Sequence, residues 1–126
     1  MKLLLFAHLC VLFIYGCGLV QSSDNVRRFI PGMYIRFSSH EFGTEYDTLV
    51  ISLESESAAS YRIVRKWKYE RVLDGVVIEP EYKRTITSAV YNTDRKLLEE
   101  TKSGDVYSFD VVNKILFDGA VKYQKL

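Results

Sequence analysis

The chain has 126 residues and a mass of 14.6 kDa, which is enough for one domain with one hydrophobic core. Hydrophobic residues make up 48% and charged residues 26%, a balance that excludes an intrinsically disordered chain. The formal net charge is +1, and the first 22 residues hold one lysine and no acid, which leaves 16 basic and 16 acidic residues. We therefore expect no nucleic-acid partner, because polyanion binding needs a basic excess on one face.

The N-terminus has the pattern of an export signal. Lys2 is followed by an apolar run over residues 3–15 that is interrupted only by His8. This run is too short to span a bilayer, which takes about 20 residues, and small residues follow it at once. The pattern predicts a signal peptide over residues 1–16 and an exported protein of the cell envelope.

The cleavage site decides between a tethered protein and a free one. The segment Ile14-Tyr15-Gly16-Cys17 resembles a bacterial lipobox, in which the cysteine is acylated before cleavage. Cys17 is therefore the predicted lipid-attachment site, and residues 17–30 would be a flexible tether to the inner or outer membrane. The alternative is cleavage after Ser22, which would release a soluble periplasmic or secreted protein.

From residue 31 onward the sequence has the features of β-strands joined by short turns. Eight strands are predicted, at residues 32–38, 46–53, 61–73, 76–90, 96–102, 105–109, 114–117 and 120–125. Short connections force neighbouring strands to pair antiparallel, since a parallel crossover needs a dozen or more residues. The sequence thus predicts an all-β domain over residues 31–126, an up-and-down meander of about eight strands curled into a barrel or half-barrel.

A short internal repeat lies in the last third of the chain. Residues 91–98 (YNTDRKLL) match residues 109–116 (FDVVNKIL). In each copy an aromatic residue ends a strand, an Asn or Asp side chain can bond the turn backbone, and a basic residue leads into an aliphatic pair. The repeat predicts two hairpins of similar geometry.

Residues for catalysis are scarce. His40 is the one histidine beyond the leader, and no thiol follows Cys17. A serine or cysteine nucleophile needs a base held by a third group, and a zinc ion needs three or four convergent ligands. We therefore expect no enzyme activity, no metal ion and no cofactor.

The best candidate for a ligand site lies on the two strands joined by an aspartate–glycine turn at residues 74–75. Such a turn predicts a tight hairpin, in which two residues lie opposite each other when their numbers add up to 149. In that register Arg65 and Trp67 share a face with Arg84 and Tyr82. The facing arginines would repel each other unless an anion, a carboxylate or solvent neutralised them. These four residues form the predicted ligand site, which a bulge at the proline of the second strand would destroy. The alternatives are an ordinary core strand with solvated lysines and a stacking platform for single-stranded nucleic acid.

Several short segments carry a family resemblance, namely residues 29–34 (FIPGMY), 46–51 (YDTLVI), 61–63 (YRI) and 119–126 (GAVKYQKL). They resemble segments of small uncharacterised lipoproteins of Bacteroidota, whose genes often lie among conjugative-transfer genes. The shape is also similar to lipocalin-like domains, with Gly32-Met33-Tyr34 where a lipocalin has glycine, a variable residue and tryptophan. The resemblance implies a compartment and a setting, and it identifies no catalytic residue.

These observations together favour a non-catalytic accessory lipoprotein. We expect it to be anchored to a membrane by lipid and to bind another envelope protein, such as a component of a transfer or secretion machine. The alternatives are a lipocalin-like carrier of a small ligand and an inhibitor of an envelope hydrolase.

Overall fold

The computed structural model describes residues 24–126, so the signal-peptide prediction and Cys17 lie outside the described residues. One short helix precedes nine strands. The elements are α1 (Asn25–Phe29), β1 (Gly32–His40), β2 (Gly43–Ser55), β3 (Ser60–Leu73), β4 (Val76–Val77), β5 (Glu81–Asn92), β6 (Leu97–Glu100), β7 (Val106–Asp110), β8 (Ile115–Asp118) and β9 (Val121–Lys125).

The strands form a closed antiparallel barrel, which confirms the predicted all-β meander. Strand order is β2-β1-β9-β8-β7-β6-β5-β3-β4, and β2 also pairs with β3. Eight strands therefore close on themselves, and β4 lies outside the barrel as a partner of the end of β3. Closure occurs where Tyr34 and Ile35 of β1 pair with Lys125 and Gln124 of β9.

The aspartate–glycine turn forms as the sequence predicts, but the register changes immediately after it. Asp74 and Gly75 both have positive φ, 52° and 77°, as a two-residue hairpin turn requires, and Leu73 pairs with Val76. Beyond this turn the predicted register is wrong by one residue, because the partner of Tyr69 is Glu81. Proline has no N–H for the ladder, so the strand is interrupted before β5 and resumes one residue displaced.

The core of the barrel is built from tyrosines and aliphatic residues. The buried apolar side chains are Ile30, Tyr34, Leu49, Ile51, Tyr61, Ile63, Ala89, Tyr91, Leu98, Tyr107, Leu116 and Tyr123. Buried tyrosines need partners for their hydroxyl groups. Tyr34 donates to the carbonyl oxygens of Phe29 (3.0 Å) and Ile30 (2.8 Å), which joins the core to the segment before β1.

Helix α1 closes one end of the barrel. Asp24 caps it by accepting a hydrogen bond from the backbone N–H of Arg27 (3.1 Å), and Ile30 at its end is fully buried. The ring of Phe29 packs edge-on against Phe109, at a centroid distance of 6.1 Å. The predicted flexible tether is therefore wrong over residues 25–30, which belong to the folded domain.

The internal repeat forms two similar turns, as predicted. The Oδ1 atom of Asn92 accepts from the backbone N–H of Arg95, and Oδ1 of Asp110 accepts from that of Asn113, both at 3.1 Å. The following lysine, at positions 96 and 114, has a φ of 54° and 57°, respectively. Each copy thus uses an Asx side chain and one left-handed residue to reverse the chain.

The barrel wall has two heights. Strands β1, β2, β3 and β5 have 9 to 14 residues, whereas β6 to β9 have four or five. We call the first four the long wall and the last four the short wall. The long wall extends past the short wall at the end opposite α1, and this open end is the mouth of the barrel.

Candidate ligand pocket at the barrel mouth

A pocket of about 270 Å³ lies on the inner side of the long wall, at the mouth. Its lining residues are Arg65, Trp67, Lys83 and Thr85. Arg65 pairs with Thr85 and Trp67 pairs with Lys83 across β3 and β5, so the four side chains share one face of the sheet.

The predicted four-residue ligand site does not form. Arg84 lies opposite Lys66 and Tyr82 lies opposite Lys68, so both are on the outer face, whereas Arg65 is on the inner face. A one-residue slip sends every side chain of a strand to the other face, and the interruption before β5 produces such a slip. The structure keeps Arg65 and Trp67 together and replaces the other two residues by Lys83 and Thr85.

Arg65 is held in place by a buried carboxylate. Asp47 of β2 is 1% exposed and accepts from Nε (2.9 Å) and Nη2 (2.5 Å) of Arg65, and also from the hydroxyl of Tyr123 (2.8 Å). The hydrogen bonds to Asp47 raise the pKa of Arg65, and burial raises that of Tyr123. The side chain of Arg65 is nevertheless 44% exposed. Its guanidinium is therefore fixed on the side of Asp47 and open toward the mouth.

Trp67 belongs to a row of stacked rings. It stacks on Tyr69 with a centroid distance of 5.8 Å and an interplanar angle of 14°, and Tyr69 stacks on His40 at 6.2 Å. The indole N–H donates to Oε1 of Glu45 at 2.7 Å. At Gly43 a Cβ would approach the backbone carbonyl oxygen of Glu70 to 2.5 Å and the Tyr69 hydroxyl to 2.7 Å, so only glycine fits beside this ring.

Lys83 contributes the second positive charge of the pocket. Its side chain is exposed, and among residues 24–126 it takes part in no ion pair. Thr85 supplies a half-buried hydroxyl beside it. The pocket thus combines two cations, one hydroxyl and one indole ring.

The short wall of the mouth is acidic. Glu100 is 9% exposed and accepts from the hydroxyl of Tyr107 at 3.0 Å. Burial, reinforced by the charge of Asp105, raises the pKa of Asp118. The mouth therefore has Lys83, a cation without an ion-pair partner in the described chain, on the long wall and carboxylates on the short wall. The long wall's own carboxylates, Glu45 and Asp47, accept hydrogen bonds from Trp67 and Arg65.

A larger open cleft of about 710 Å³ lies beside α1, at the other end of the barrel. It is bordered by Asp24, where the described residues begin, and by Arg27 and Tyr61. Because the N-terminal segment joins the domain there, we infer no ligand site in this cleft.

Within the described part of the chain, no group of histidine, cysteine, aspartate and glutamate side chains is arranged to hold a metal ion. No helix between residues 24 and 126 has the length and apolar character needed to cross a bilayer. Comparison with protein-family models, with curated proteins and with solved structures finds no match for the chain.

Three residues of this region, Asp47, Lys83 and Thr85, were not among those predicted from the sequence. Asp47 had a usable signal, because it shares its strand face with Leu49 and Ile51 and is the charged member of an apolar series. Lys83 and Thr85 could be assigned only from the true register of β5.

Proposed function

We propose that this protein is a non-catalytic binding barrel that holds a small anionic ligand in its mouth. The observation that carries this proposal is that one pocket is lined both by Arg65, which Asp47 holds in place, and by Lys83, which has no ion-pair partner among residues 24–126. Lys83 supplies the net positive charge of the site, and Arg65 supplies Nη1, the guanidinium nitrogen that Asp47 does not use. Together they favour a carboxylate or phosphate group, and the orientation of Arg65 is set before the ligand arrives.

The rest of the site restricts the ligand further. The indole of Trp67 offers an apolar surface for a ring or an aliphatic segment, and the hydroxyl of Thr85 offers a hydrogen bond. The acidic short wall repels a second anionic group, so a polyanion fits poorly. A ligand with one anionic group fits best, including a zwitterion whose cationic end faces Asp118.

The proposal predicts that a small anion stabilises the folded protein. Thermal unfolding should be followed with a panel of monocarboxylates, amino acids and phosphomonoesters, because a ligand that binds only the folded state raises the midpoint in proportion to its occupancy. The Lys83→Met variant keeps the apolar stem and should lose this response. Lys122→Met, which removes an exposed lysine of the short wall, is the matched control and should respond like the parent. Midpoints that stay constant across the panel, or rise equally in Lys83→Met, would refute the proposal.

The other functional predictions from the sequence remain proposals. They are the lipid anchor on Cys17, the place in the cell envelope, the relation to lipoproteins of Bacteroidota, an envelope protein as partner, and inhibition of an envelope hydrolase.

A further inference from the structure

The outer side of the long wall carries an unusual combination of exposed aromatic and basic side chains. Phe37, Tyr46, Lys68 and Tyr82 lie side by side across the four strands, and Lys66 pairs with Arg84 in the adjacent row. We call these six residues the basic-aromatic face. Phe37 is 62% and Tyr82 is 72% exposed.

The charges of this face are unbalanced. Lys68 is neutralised by Glu70, at 2.7 Å, and its Nζ lies over the rings of Tyr46 and Tyr82 at 5.3 and 5.9 Å from their centroids. Lys66 and Arg84, by contrast, are exposed and lie directly opposite each other on the adjacent strands β3 and β5. Neither forms an ion pair with any residue in the range 24–126. Like charges directly opposite each other destabilise a sheet, so this pair favours an external anion.

The neighbouring side chains add apolar character to the same surface. Met33 and Ile86 lie in the next row toward α1 and are 43% and 48% exposed. Tyrosine rings beside aliphatic and basic side chains suit the boundary between lipid headgroups and acyl chains, where tyrosine is enriched and where lysine and arginine meet phosphate groups.

From the exposed rings and the unpaired cations we infer that the basic-aromatic face rests against an anionic bilayer surface. The charge of the face supports this occupant. Lys66 and Arg84 form no ion pair with any described residue, and the phosphate groups of anionic lipids supply the missing negative charge. The exposed rings of Phe37 and Tyr82 beside these cations fit the headgroup boundary of a bilayer.

The chain that precedes the described residues also favours a membrane. It contains the apolar run at residues 3–15 and Cys17, and it joins the domain at Asp24, shortly before β1 of the long wall. The seven peptide links between Cys17 and Asp24 reach at most about 25 Å when extended. Attachment at or before Cys17 would therefore hold the basic-aromatic face at a high effective concentration near the bilayer. The lipid anchor and the face would each bind a membrane weakly alone, and together they would bind it more tightly.

The test places a single tryptophan on this face in the full chain. In a Trp67→Phe background, Tyr82→Trp puts the indole on the basic-aromatic face, and Val106→Trp puts it at a 40% exposed site on the short wall. Each protein is reconstituted into vesicles of phosphatidylglycerol or of phosphatidylcholine with brominated acyl chains, which quench nearby tryptophan. We expect strong quenching at position 82 and weak quenching at position 106 in phosphatidylglycerol, and little at either in phosphatidylcholine.

The charge dependence is tested in the same assay. Lys66→Gln with Arg84→Gln should weaken the contact of the face with the bilayer roughly 30-fold, whereas Lys102→Gln with Lys122→Gln should leave quenching at position 82 unchanged. Raising the salt from ~0.1 M to ~1 M shortens the Debye length from about 10 Å to about 3 Å and should also remove the quenching. Equal quenching at positions 82 and 106, or quenching that ignores lipid charge and both cations, would overturn the inference. So would an unquenched tryptophan at position 82 whose emission shifts instead with an acidic polypeptide or a single-stranded oligonucleotide.

Discussion

Asp47 is the charged residue on which the arrangement of the mouth depends. It is buried, yet both of its oxygens accept hydrogen bonds, from the guanidinium of Arg65 and the hydroxyl of Tyr123. These bonds connect β2, β3 and β9 through a single carboxylate. A buried charge is tolerated when it is paired and hydrogen-bonded, and its loss leaves the partners without compensation.

We predict that Asp47→Ala lowers the free energy of unfolding by about 3 kcal/mol. This is the lower end of the usual range, because Arg65 is partly exposed and can recover some solvation. The free energy is measured by urea denaturation, with the exposed turn variant Asp94→Ala as the control, which should change it by less than about 0.5 kcal/mol. A loss as small as that of the control would mean that Asp47 does not organise the mouth.

Asp118 provides a prediction for pH dependence. Its pKa is raised in the folded protein, chiefly by burial, so the folded state binds a proton more readily than the unfolded state. Stability contributed by this group therefore falls as the pH rises from the ordinary aspartate pKa through the raised value, and it stays low above it. Asp118→Asn should be more stable than the parent at pH 7, with an advantage that disappears near pH 4. Denaturation at both pH values checks this, and an advantage that does not depend on pH would contradict it.

At the scale of single residues the sequence located half of the pocket. Arg65 and Trp67 could be assigned to one face because period-two alternation within β3 is local. Arg84 and Tyr82 were placed wrongly, since their face depends on how many residues lie between the turn and β5. Alternation determines which residues share a face, but only the register determines which strand neighbours they meet.

At the scale of elements, the residues of the turns made most of the strand connections predictable. The aspartate–glycine turn and the two repeated turns form as expected, because their residues favour positive φ or bond the turn backbone. Helix α1 was missed because five residues are too few to display a helical period. Its stability comes from the Asp24 cap and from burial of Ile30 against the barrel, and that burial is a tertiary effect.

The repeated turns predict stabilising substitutions. Lys96 and Lys114 have left-handed backbone conformations, which cost a non-glycine residue about 1 kcal/mol or more, and glycine avoids this cost at some loss of chain entropy. Lys96→Gly and Lys114→Gly should therefore each raise the free energy of unfolding by about 0.5 kcal/mol. Lys102→Gly, in a turn where the lysine does not have positive φ, is the matched control and should be neutral or destabilising. Destabilisation of both test variants in urea would contradict this account of the turns.

At the scale of the whole molecule, the meander was predictable and its closure was not. Short connections require sequential antiparallel neighbours, but pairing of β1 with β9 joins the two ends of the domain and has no local signature. The unequal walls follow from strand lengths that differ about threefold, and they leave a mouth with Lys83 on the long wall and the carboxylates of Glu100 and Asp118 on the short wall. The basic-aromatic face lies on the outside of the same long wall, so the two sides of one sheet are proposed to meet different anions.

The most direct test of a ligand site in the mouth is the fluorescence of Trp67, the one tryptophan of the chain. Its ring lines the pocket beside Lys83, so an anion bound there should change its emission with a saturable dependence on concentration. The titration uses the anion that gives the largest rise in thermal midpoint. We predict saturation in the parent and in Lys122→Met, and no response in Lys83→Met. An anion that raises the midpoint of the parent while leaving the emission of Trp67 unchanged would show that it binds elsewhere, and would contradict the assignment of the mouth as the ligand site.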